Sequence, residues 1–123
     1  DMLIWIFGNV VENKLYVSED DIMSGHLRLE RANVKWLLSC NEEFVPAPER
    51  AQGKKTFRSL QIGSDSFDFS TGFTDLHTKT YEHILSGNGF GIADTKASVN
   101  LAHELRQCTV VPLDDQVHEF LRK

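Results

Sequence analysis

The sequence contains no long apolar run, no basic cluster and little cysteine, and each absence argues against a class of protein. No apolar segment approaches the roughly 20 residues that a membrane-spanning helix needs. The apolar stretch at residues 2–7 is short and lacks the basic flank and cleavage site of a secretory signal. The longest basic run is Lys54-Lys55 and the net charge is −5, so a general nucleic-acid binder is not expected.

Cysteine is scarce, and the two cysteines, Cys40 and Cys108, lie far apart. They could form a disulfide. Buried reduced thiols in a cytoplasmic protein are the favoured interpretation, because structural disulfides concentrate in small secreted domains.

The sequence also lacks the local signatures of common catalytic and cofactor sites. Gly87, Gly89 and Gly91 follow a predicted helix, whereas the glycines of a dinucleotide site follow a strand, so they indicate a helix end and a tight turn. His77 and His83 lie six apart on different helix faces, and no metal site is expected. No nucleophile beside a base and no acid/base pair of carboxylates stands out. By its own residues the chain is a poor candidate for a complete enzyme.

What is present is typical of one globular domain. Hydrophobic residues make up 41% and charged residues 25% of the 123 positions, and this length can bury a modest core. We therefore expect a single domain over residues 1–123. The chain opens on Asp1 and continues directly into apolar sequence, which suggests a fragment of a longer protein.

The first third of the chain predicts a short helix and then strands. Residues 1–7 predict a helix that stops at Gly8-Asn9, and residues 10–17 predict a strand. Residues 22–31 alternate, which predicts a half-buried strand. Its apolar face holds Leu27 and Leu29, and its polar face holds His26, Arg28 and Glu30.

The next strand is predicted from Val34, Trp36 and Leu38. The short Ala32-Asn33 connection makes the two strands a hairpin candidate, because Asn33 is able to adopt a positive φ. Residues 41–55 predict a polar loop. Residues 56–69 predict a second hairpin over a turn at 63–66.

A helix within residues 72–91 is the element around which the rest of the chain is arranged. We predict Thr74 as its N-cap, Asp75 in its first turn and Gly87 as its left-handed end. Its buried face is predicted to hold Phe73, Leu76, Tyr81, Ile84 and Leu85.

A further helix, capped by Asp94, is predicted before a strand or coil over residues 109–123. Its apolar face is predicted to hold Ala97, Leu101, Ala102, Leu105 and Cys108. Strands followed by helices predict an α+β fold, with an open, mainly antiparallel sheet and helices packed on one face. Leu37 lies opposite the Trp36 side of its strand, so the sheet carries apolar side chains on both faces. The second face therefore predicts an interface with another subunit or domain.

The predicted binding residues lie at the start of the central helix. Asp75, His77 and Thr78 would sit where the helix dipole and backbone N–H groups favour an anion such as phosphate or carboxylate. Arg58, on the strand pair before this helix, is a further anion contact. The alternative for His77 is a surface histidine bonded to its own capping residues, and the alternative for Arg58 is a solvated strand residue.

Two parts of the chain resemble one enzyme family. Residues 1–8, Asp-Met-Leu-Ile-Trp-Ile-Phe-Gly, resemble the segment after the active-site histidine in the Gfo/Idh/MocA (glucose–fructose oxidoreductase/inositol dehydrogenase) family. Residues 72–91, with Gly-Phe-Thr-Asp-Leu-His-Thr at their start, resemble the late helix and glycine turn of its sugar-nucleotide branch. Residues 36–39 and 58–60 fall where that branch has similar strands.

The resemblance implies the C-terminal α+β domain of a cytoplasmic oxidoreductase whose N-terminal Rossmann domain, absent here, binds NAD or NADP. That branch contains UDP-N-acetyl-glucosaminuronate 3-dehydrogenases of lipopolysaccharide O-antigen biosynthesis, so a UDP-sugar substrate and a homo-oligomer through the open sheet face are expected. The family's catalytic lysine and histidine lie outside the matching segment. No catalytic residue carries over, and the chain alone is expected to be inactive. The alternative is a stand-alone dimerising or anion-binding module without catalysis.

Overall fold

The structure, a computed structural model, describes residues 1–71 and 74–122, and the chain divides into two compact units. The first unit comprises Asp1–Cys40 and Phe90–Lys123, and the second comprises Asn41–Gly89. The helices are α1 (Met2–Phe7), α2 (Ala47–Ala51), α3 (Leu76–Leu85) and α4 (Ile92–Gln107), with 3-10 helices at Glu42–Phe44 and Glu119–Leu121. The strands are β1 (Val10–Ser18), β2 (Ile22–Leu29), β3 (Asn33–Ser39), β4 (Ser59–Ile62) and β5 (Asp65–Asp68). The α+β class predicted from the sequence is confirmed, and the single domain over residues 1–123 stays a prediction.

The first unit is built on a three-stranded antiparallel sheet in the order β1-β2-β3. In the central strand, His26 lies between its register partners Lys14 of β1 and Lys35 of β3. The predicted half-buried character of β2 is wrong, because Ser24 and His26 on its polar side are buried as well as Leu27.

The β2–β3 connection forms the predicted hairpin with a different turn. The N–H of Leu29 donates to the carbonyl of Ala32 at 2.8 Å, so the turn closes before Asn33. Asn33 pairs with Arg28 as the first residue of β3. Asn33 does not adopt the positive φ that it could tolerate; among the described residues Asp75 is the one non-glycine residue with a positive φ.

The predicted opening helix is confirmed as α1, which ends at Gly8 with φ +87°. A Cβ on Gly8 would lie 2.3 Å from a carboxylate oxygen of Glu30, so glycine permits both the positive φ and the close approach. The backbone N–H of Arg31 donates to the carbonyl of Phe7 at 3.0 Å, and its guanidinium donates to the carbonyl of Ile6 at 2.6 Å. These bonds hold α1 against the β2–β3 connection.

Helix α4 packs on β1 through its last two turns. The side-chain amide of Asn13 donates to Glu104 at 3.4 Å and accepts from the thiol of Cys108 at 3.1 Å. The N–H of Gly91 donates to the carboxylate of Asp94 at 2.7 Å, so Asp94 caps the helix from its third residue rather than from the N-cap. Of the predicted apolar face, Leu101, Leu105 and Cys108 are half-buried, and Ala97 and Ala102 are exposed.

Both cysteines are free thiols, but their predicted burial holds only in part. Cys108 is half-buried beside β1, whereas Cys40 is exposed just after β3.

After α4 the chain runs back along the sheet as a coil that we call the C-terminal strap (residues 110–122). The N–H of Val111 donates to the carbonyl of Leu15 at 2.9 Å, and Val110 forms an isolated parallel bridge with the same residue of β1. Val117 is 4% exposed, so the strap contributes to the core of the first unit. Of the two alternatives predicted for this region, strand or coil, the described residues form a coil with one isolated bridge, and they also contain the 3-10 helix at Glu119–Leu121.

The second unit contains the predicted hairpin, β4–β5, with Leu60 opposite Phe67 across a turn at Gly63-Ser64. The segment predicted as a polar loop instead holds a 3-10 helix and α2. The side chain of Asn41 accepts from the N–H of Glu43 at 2.9 Å, and this local cap starts the 3-10 helix.

Helix α3 begins one residue later than the sequence predicts, at Leu76. Its N-cap is Asp75 rather than Thr74, with φ 58° and ψ 18°. Gly87 has φ +78°, which confirms the predicted left-handed end. The predicted buried face is wrong for this chain: Leu76, Tyr81, Ile84 and Leu85 are 50%, 66%, 54% and 87% exposed. Phe73, the fifth member of that face, lies outside the described residues.

Candidate functional site

Three of the four predicted binding residues lie together in the second unit. Asp75 is the N-cap of α3, and His77 and Thr78 are the second and third residues of the helix. All three are exposed. The structure therefore presents this group of side chains at one helix end and leaves it open to a ligand.

The start of α3 is ordered by its backbone and not by a side-chain cap. The N–H of Lys79 donates to the carbonyl of Asp75 at 3.0 Å, which begins the helical ladder. The Asp75 carboxylate makes no capping hydrogen bond to the N–H groups of the first turn. An uncapped first turn combines backbone donors with the positive end of the helix dipole, the arrangement that favours an anion.

Arg58 belongs to a different element of the second unit, just before β4. Its N–H donates to the hydroxyl oxygen of Ser70 at 2.7 Å, and its carbonyl accepts from the N–H of Phe69 at 2.9 Å. Ser70 is held in turn by Asp68, whose carboxylate accepts from the Ser70 N–H at 2.8 Å. The hydrogen bonds from Ser70 hold the pKa of Asp68 below its usual range. The hairpin thus continues past its last paired strand residues and fixes the backbone of Arg58, whose side chain is exposed.

The first unit contains a polar cluster that the sequence did not reveal. The hydroxyl of Tyr16 donates to Asp114 Oδ1 at 2.6 Å, and Lys14 Nζ lies 2.9 Å from Asp114 Oδ2. The N–H of Gln116 donates to Oδ1 at 2.7 Å. Positions 14 and 16 are about 100 residues from position 114 in the chain, and no local pattern connects them.

The electrostatics of this cluster point to a structural role. Burial, followed by the hydrogen bond to Asp114, raises the pKa of the Tyr16 phenol. The hydrogen bonds from Tyr16 and Lys14 hold the pKa of Asp114 well below its usual range. At neutral pH the phenol is therefore a fixed donor and the carboxylate a fixed acceptor, whereas a general acid or base needs a pKa near the working pH.

A cleft of about 250 Å³ lies in the first unit between α1, β1 and α4. Its lining includes Glu12, Asn13 and Glu104, but these groups are already engaged. Glu12 pairs with Arg28 at 3.2 Å, and Glu104 accepts from Asn13. Within residues 1–71 and 74–122, no group of three or more His, Cys, Asp or Glu side chains could hold a metal ion. No helix in the same part of the chain is long and apolar enough to cross a membrane.

No protein-family model matches the chain. Two solved structures of the WlbA (WbpB) dehydrogenase from Thermus thermophilus are similar to it. The structure in complex with NAD and alpha-ketoglutarate is 37% identical with a TM-score of 0.93, and the structure in complex with NAD and UDP-GlcNAcA is 36% identical with a TM-score of 0.92. Each match covers 98% of this chain and 39% of the other chain. The chain thus spans about two fifths of the length of the dehydrogenase structures it matches.

Proposed function

We propose that this chain is the C-terminal, substrate-binding and oligomerisation part of an NAD-dependent dehydrogenase that oxidises a UDP-sugar uronate. The observation that carries the proposal is the match over 98% of the chain, at 37% identity and a TM-score of 0.93, to a dehydrogenase whose structures hold NAD and UDP-GlcNAcA. Together with the resemblance of residues 1–8 and 72–91, this supports a cytoplasmic Gfo/Idh/MocA enzyme of lipopolysaccharide O-antigen biosynthesis.

The glycine-rich segment of this chain does not fit a binding site for NAD or NADP. Gly87 ends α3 in the left-handed conformation, and Gly91 is the N-cap of α4, so the glycine-rich segment connects two helices. A dinucleotide site needs such glycines between a strand and a helix. We therefore assign cofactor binding to the part of the longer protein that this chain does not contain, and we derive no catalytic step for the chain.

The role we propose for this chain is to position the substrate. A UDP-sugar uronate carries a diphosphate and a carboxylate, and the uncapped first turn of α3 offers backbone donors to such anions. His77 and Thr78 add side-chain donors at the same place, and Arg58 offers a guanidinium just before β4 of the same unit. Asp75 would accept from a sugar hydroxyl. Holding a substrate in one orientation is itself a large contribution to rate.

The first experiment measures NADH formation by the full-length protein with UDP-GlcNAcA. We expect NADH formation from the full-length protein and none from the 123-residue chain alone. A full-length protein that binds neither NAD nor UDP-GlcNAcA in calorimetry would remove the dehydrogenase proposal and favour the non-catalytic module.

The second experiment tests the binding residues separately. In the full-length protein, His77→Ala and Arg58→Ala should each weaken UDP-GlcNAcA binding by roughly tenfold, the loss of one hydrogen bond to a charged group. His103→Ala is the matched control, because His103 is exposed on α4 in the first unit. Unchanged affinity in both site variants, with dehydrogenase activity retained, would relocate the substrate site without removing the function.

Oligomerisation through the sheet is the remaining part of the proposal. On β3, Leu38 is 67% exposed, and Val34 and Trp36 are half-buried. Alternate residues of a strand share a face, so these three form one apolar row. We expect light scattering to give a dimer or larger assembly for the full-length protein, and Leu38→Lys to shift the mass towards the monomer. A monomeric wild-type protein across the concentration range would remove this role.

A further inference from the structure

Beyond the proposed function, the first unit holds a buried histidine beneath the C-terminal strap. His26 is 6% exposed, and its Nε2 has no hydrogen-bond partner among the described residues. Its register partners are Lys14 on β1 and Lys35 on β3. Directly opposed residues of neighbouring strands point to the same face, so the two lysines flank the imidazole.

Both flanking lysines hold the strap. Lys14 Nζ lies 2.9 Å from Asp114 Oδ2, and Lys35 Nζ donates to the carbonyl of Asp115 at 2.9 Å. Asp114 and Asp115 are consecutive, and the two lysines stand on opposite sides of β2. The strap therefore crosses the sheet from β1 to β3 directly over His26.

We propose that the C-terminal strap is a pH-dependent cover, closed while His26 is neutral and released when His26 takes up a proton. A protonated imidazole under the closed strap would be a buried cation between two ammonium groups. Asp114 of the strap makes no hydrogen bond to His26 Nε2, because its carboxylate oxygens accept from Tyr16 and Lys14. Release of the strap gives the imidazolium access to water and so removes the burial that disfavours its charge, while Lys14 and Lys35 stay beside it on the sheet.

The charged groups around His26 agree with this direction. Burial is the main cause that lowers the pKa of His26, and Lys14 and Lys35 lower it further. Asp114 of the strap and Glu12 of β1 oppose the shift without reversing it. The closed state therefore binds fewer protons than the open state, so the stability of the closed strap falls as the pH drops below about 6.5, the ordinary value for histidine.

A second histidine lies within the strap and responds in the same sense. The Nδ1 of His118 accepts from the N–H of Phe120 at 3.3 Å and caps the 3-10 helix at the end of the strap. Burial lowers the pKa of His118, with Glu119 opposing and Lys35 adding to the shift. Protonation of Nδ1 would remove this acceptor. Asp114 does not titrate in this range, because its pKa lies well below the usual value for aspartate.

The test is amide hydrogen exchange in the intact protein at pH 7.5 and pH 5.5, corrected for the intrinsic pH dependence of exchange. At pH 5.5 we expect the Val111 and Val117 amides to be less protected than at pH 7.5. The loss should be up to about tenfold for each histidine that is neutral in the closed state and protonated in the open state. Amides of the β2–β3 hairpin should keep their protection. Equal losses of protection in the strap and the hairpin would indicate global unfolding and would overturn the proposal. Strap protection that does not change with pH would also overturn it.

Variants assign the effect to the histidines. The double variant His26→Gln/His118→Gln should make strap protection independent of pH over this range, and His118→Gln alone should remove part of the dependence. His103→Gln on α4 is the matched control and should leave the profile unchanged. If His26→Gln does not fold, an NMR titration of the wild-type His26 ring decides instead. Protonation of the ring in step with strap exchange supports the proposal, and protonation without a change in exchange overturns it.

Discussion

The two units of this chain differ in where they place their apolar side chains. In the first unit, Leu15, Leu27 and Leu29 are 2–4% exposed and form a core around the central strand. In the second unit, Val45 is the one buried apolar side chain among the described residues, while Leu85 is 87% exposed. A segment of 49 residues that buries so little cannot offset the entropy of ordering its chain through a core of its own.

The side-chain hydrogen bonds inside each unit also differ, in how far apart their partners lie in the sequence. The first unit is held by contacts between distant residues, such as Tyr16 with Asp114. At α3 in the second unit, the hydroxyl of Thr80 donates to the carbonyl of Leu76, four residues away. The hydroxyl of Ser86 donates to the carbonyl of His83, three residues away. The comparison indicates that the apolar spacing of α3 specifies a helix with an exposed apolar face, and that the described residues of the second unit form no core of their own beneath it. Under the proposed function, we expect another part of a longer protein or another subunit to cover that face.

The largest expected effect in this comparison comes from the removal of a core side chain in the first unit. Leu15→Ala deletes a side chain that is 2% exposed, and we expect a loss of about 2–5 kcal/mol in the free energy of unfolding because a cavity remains. Urea unfolding of the chain measures it. A loss below about 1 kcal/mol would mean that the core described here does not dominate the stability of the first unit.

A smaller effect is expected from the bond between the strap and the sheet. Tyr16→Phe keeps the buried ring and removes the donor to Asp114, so we expect a loss of about 1.5–3 kcal/mol, typical of a hydrogen bond to a charged group. Exchange at the Val111 amide should rise more than exchange in the β2–β3 hairpin. Wild-type protection in this variant would show that the strap is held by other contacts.

In the second unit the corresponding test is local. Gly87→Ala places a side chain at φ +78° with open space around it, so strain and not a clash should cost about 1 kcal/mol. We expect faster exchange at the last amides of α3 and no change in the first unit. Gly53→Ala, also at positive φ in open space, is a matched control that should leave α3 unaffected.

The smallest expected effect is at the exposed apolar face of α3, and it tests the difference between the two units most directly. Leu85→Ala removes a side chain that is 87% exposed, and in the isolated chain we expect a change below about 0.5 kcal/mol. If a longer protein or another subunit covers this face, as we propose, the same substitution should destabilise that protein by more than it destabilises the chain. Equal small effects in both would mean that the apolar face of α3 has no partner.

Much of the secondary structure could be predicted, because it is specified by local patterns. Alternation around Leu27 and Leu29 gave a correct strand, and Gly8 and Gly87 marked true helix ends because both have positive φ. Errors arose where two neighbouring residues suited the same position, or where one residue suited two backbone conformations. Thr74 and Asp75 both suit an N-cap, and Asp75 occupies the position. Asn33 tolerates positive φ but pairs as a strand residue instead.

The remaining failed predictions concern burial, which depends on contacts between distant residues. Nothing around His26 indicates that a strap nearly 90 positions further along the chain will bury it, and its alternation with Leu27 alone predicts an exposed ring. The predicted binding residues Asp75, His77, Thr78 and Arg58 remain predictions, because their pattern describes a helix end and a strand and says nothing of a ligand. Their arrangement at one exposed turn and one hairpin is what the structure adds.

The parallel bridge between Leu15 and Val110 also limits how copies of the sheet can be joined edge to edge. Val110 and Val111 occupy the outer side of β1 near its middle, which leaves β3 as the sheet's other border. A strand whose free backbone groups are interrupted is a poor template for a further strand. Copies that meet through the β3 edge would therefore form a pair and would not grow into a fibre. We expect the short coil after α4 to lower the tendency of the sheet to aggregate in this way.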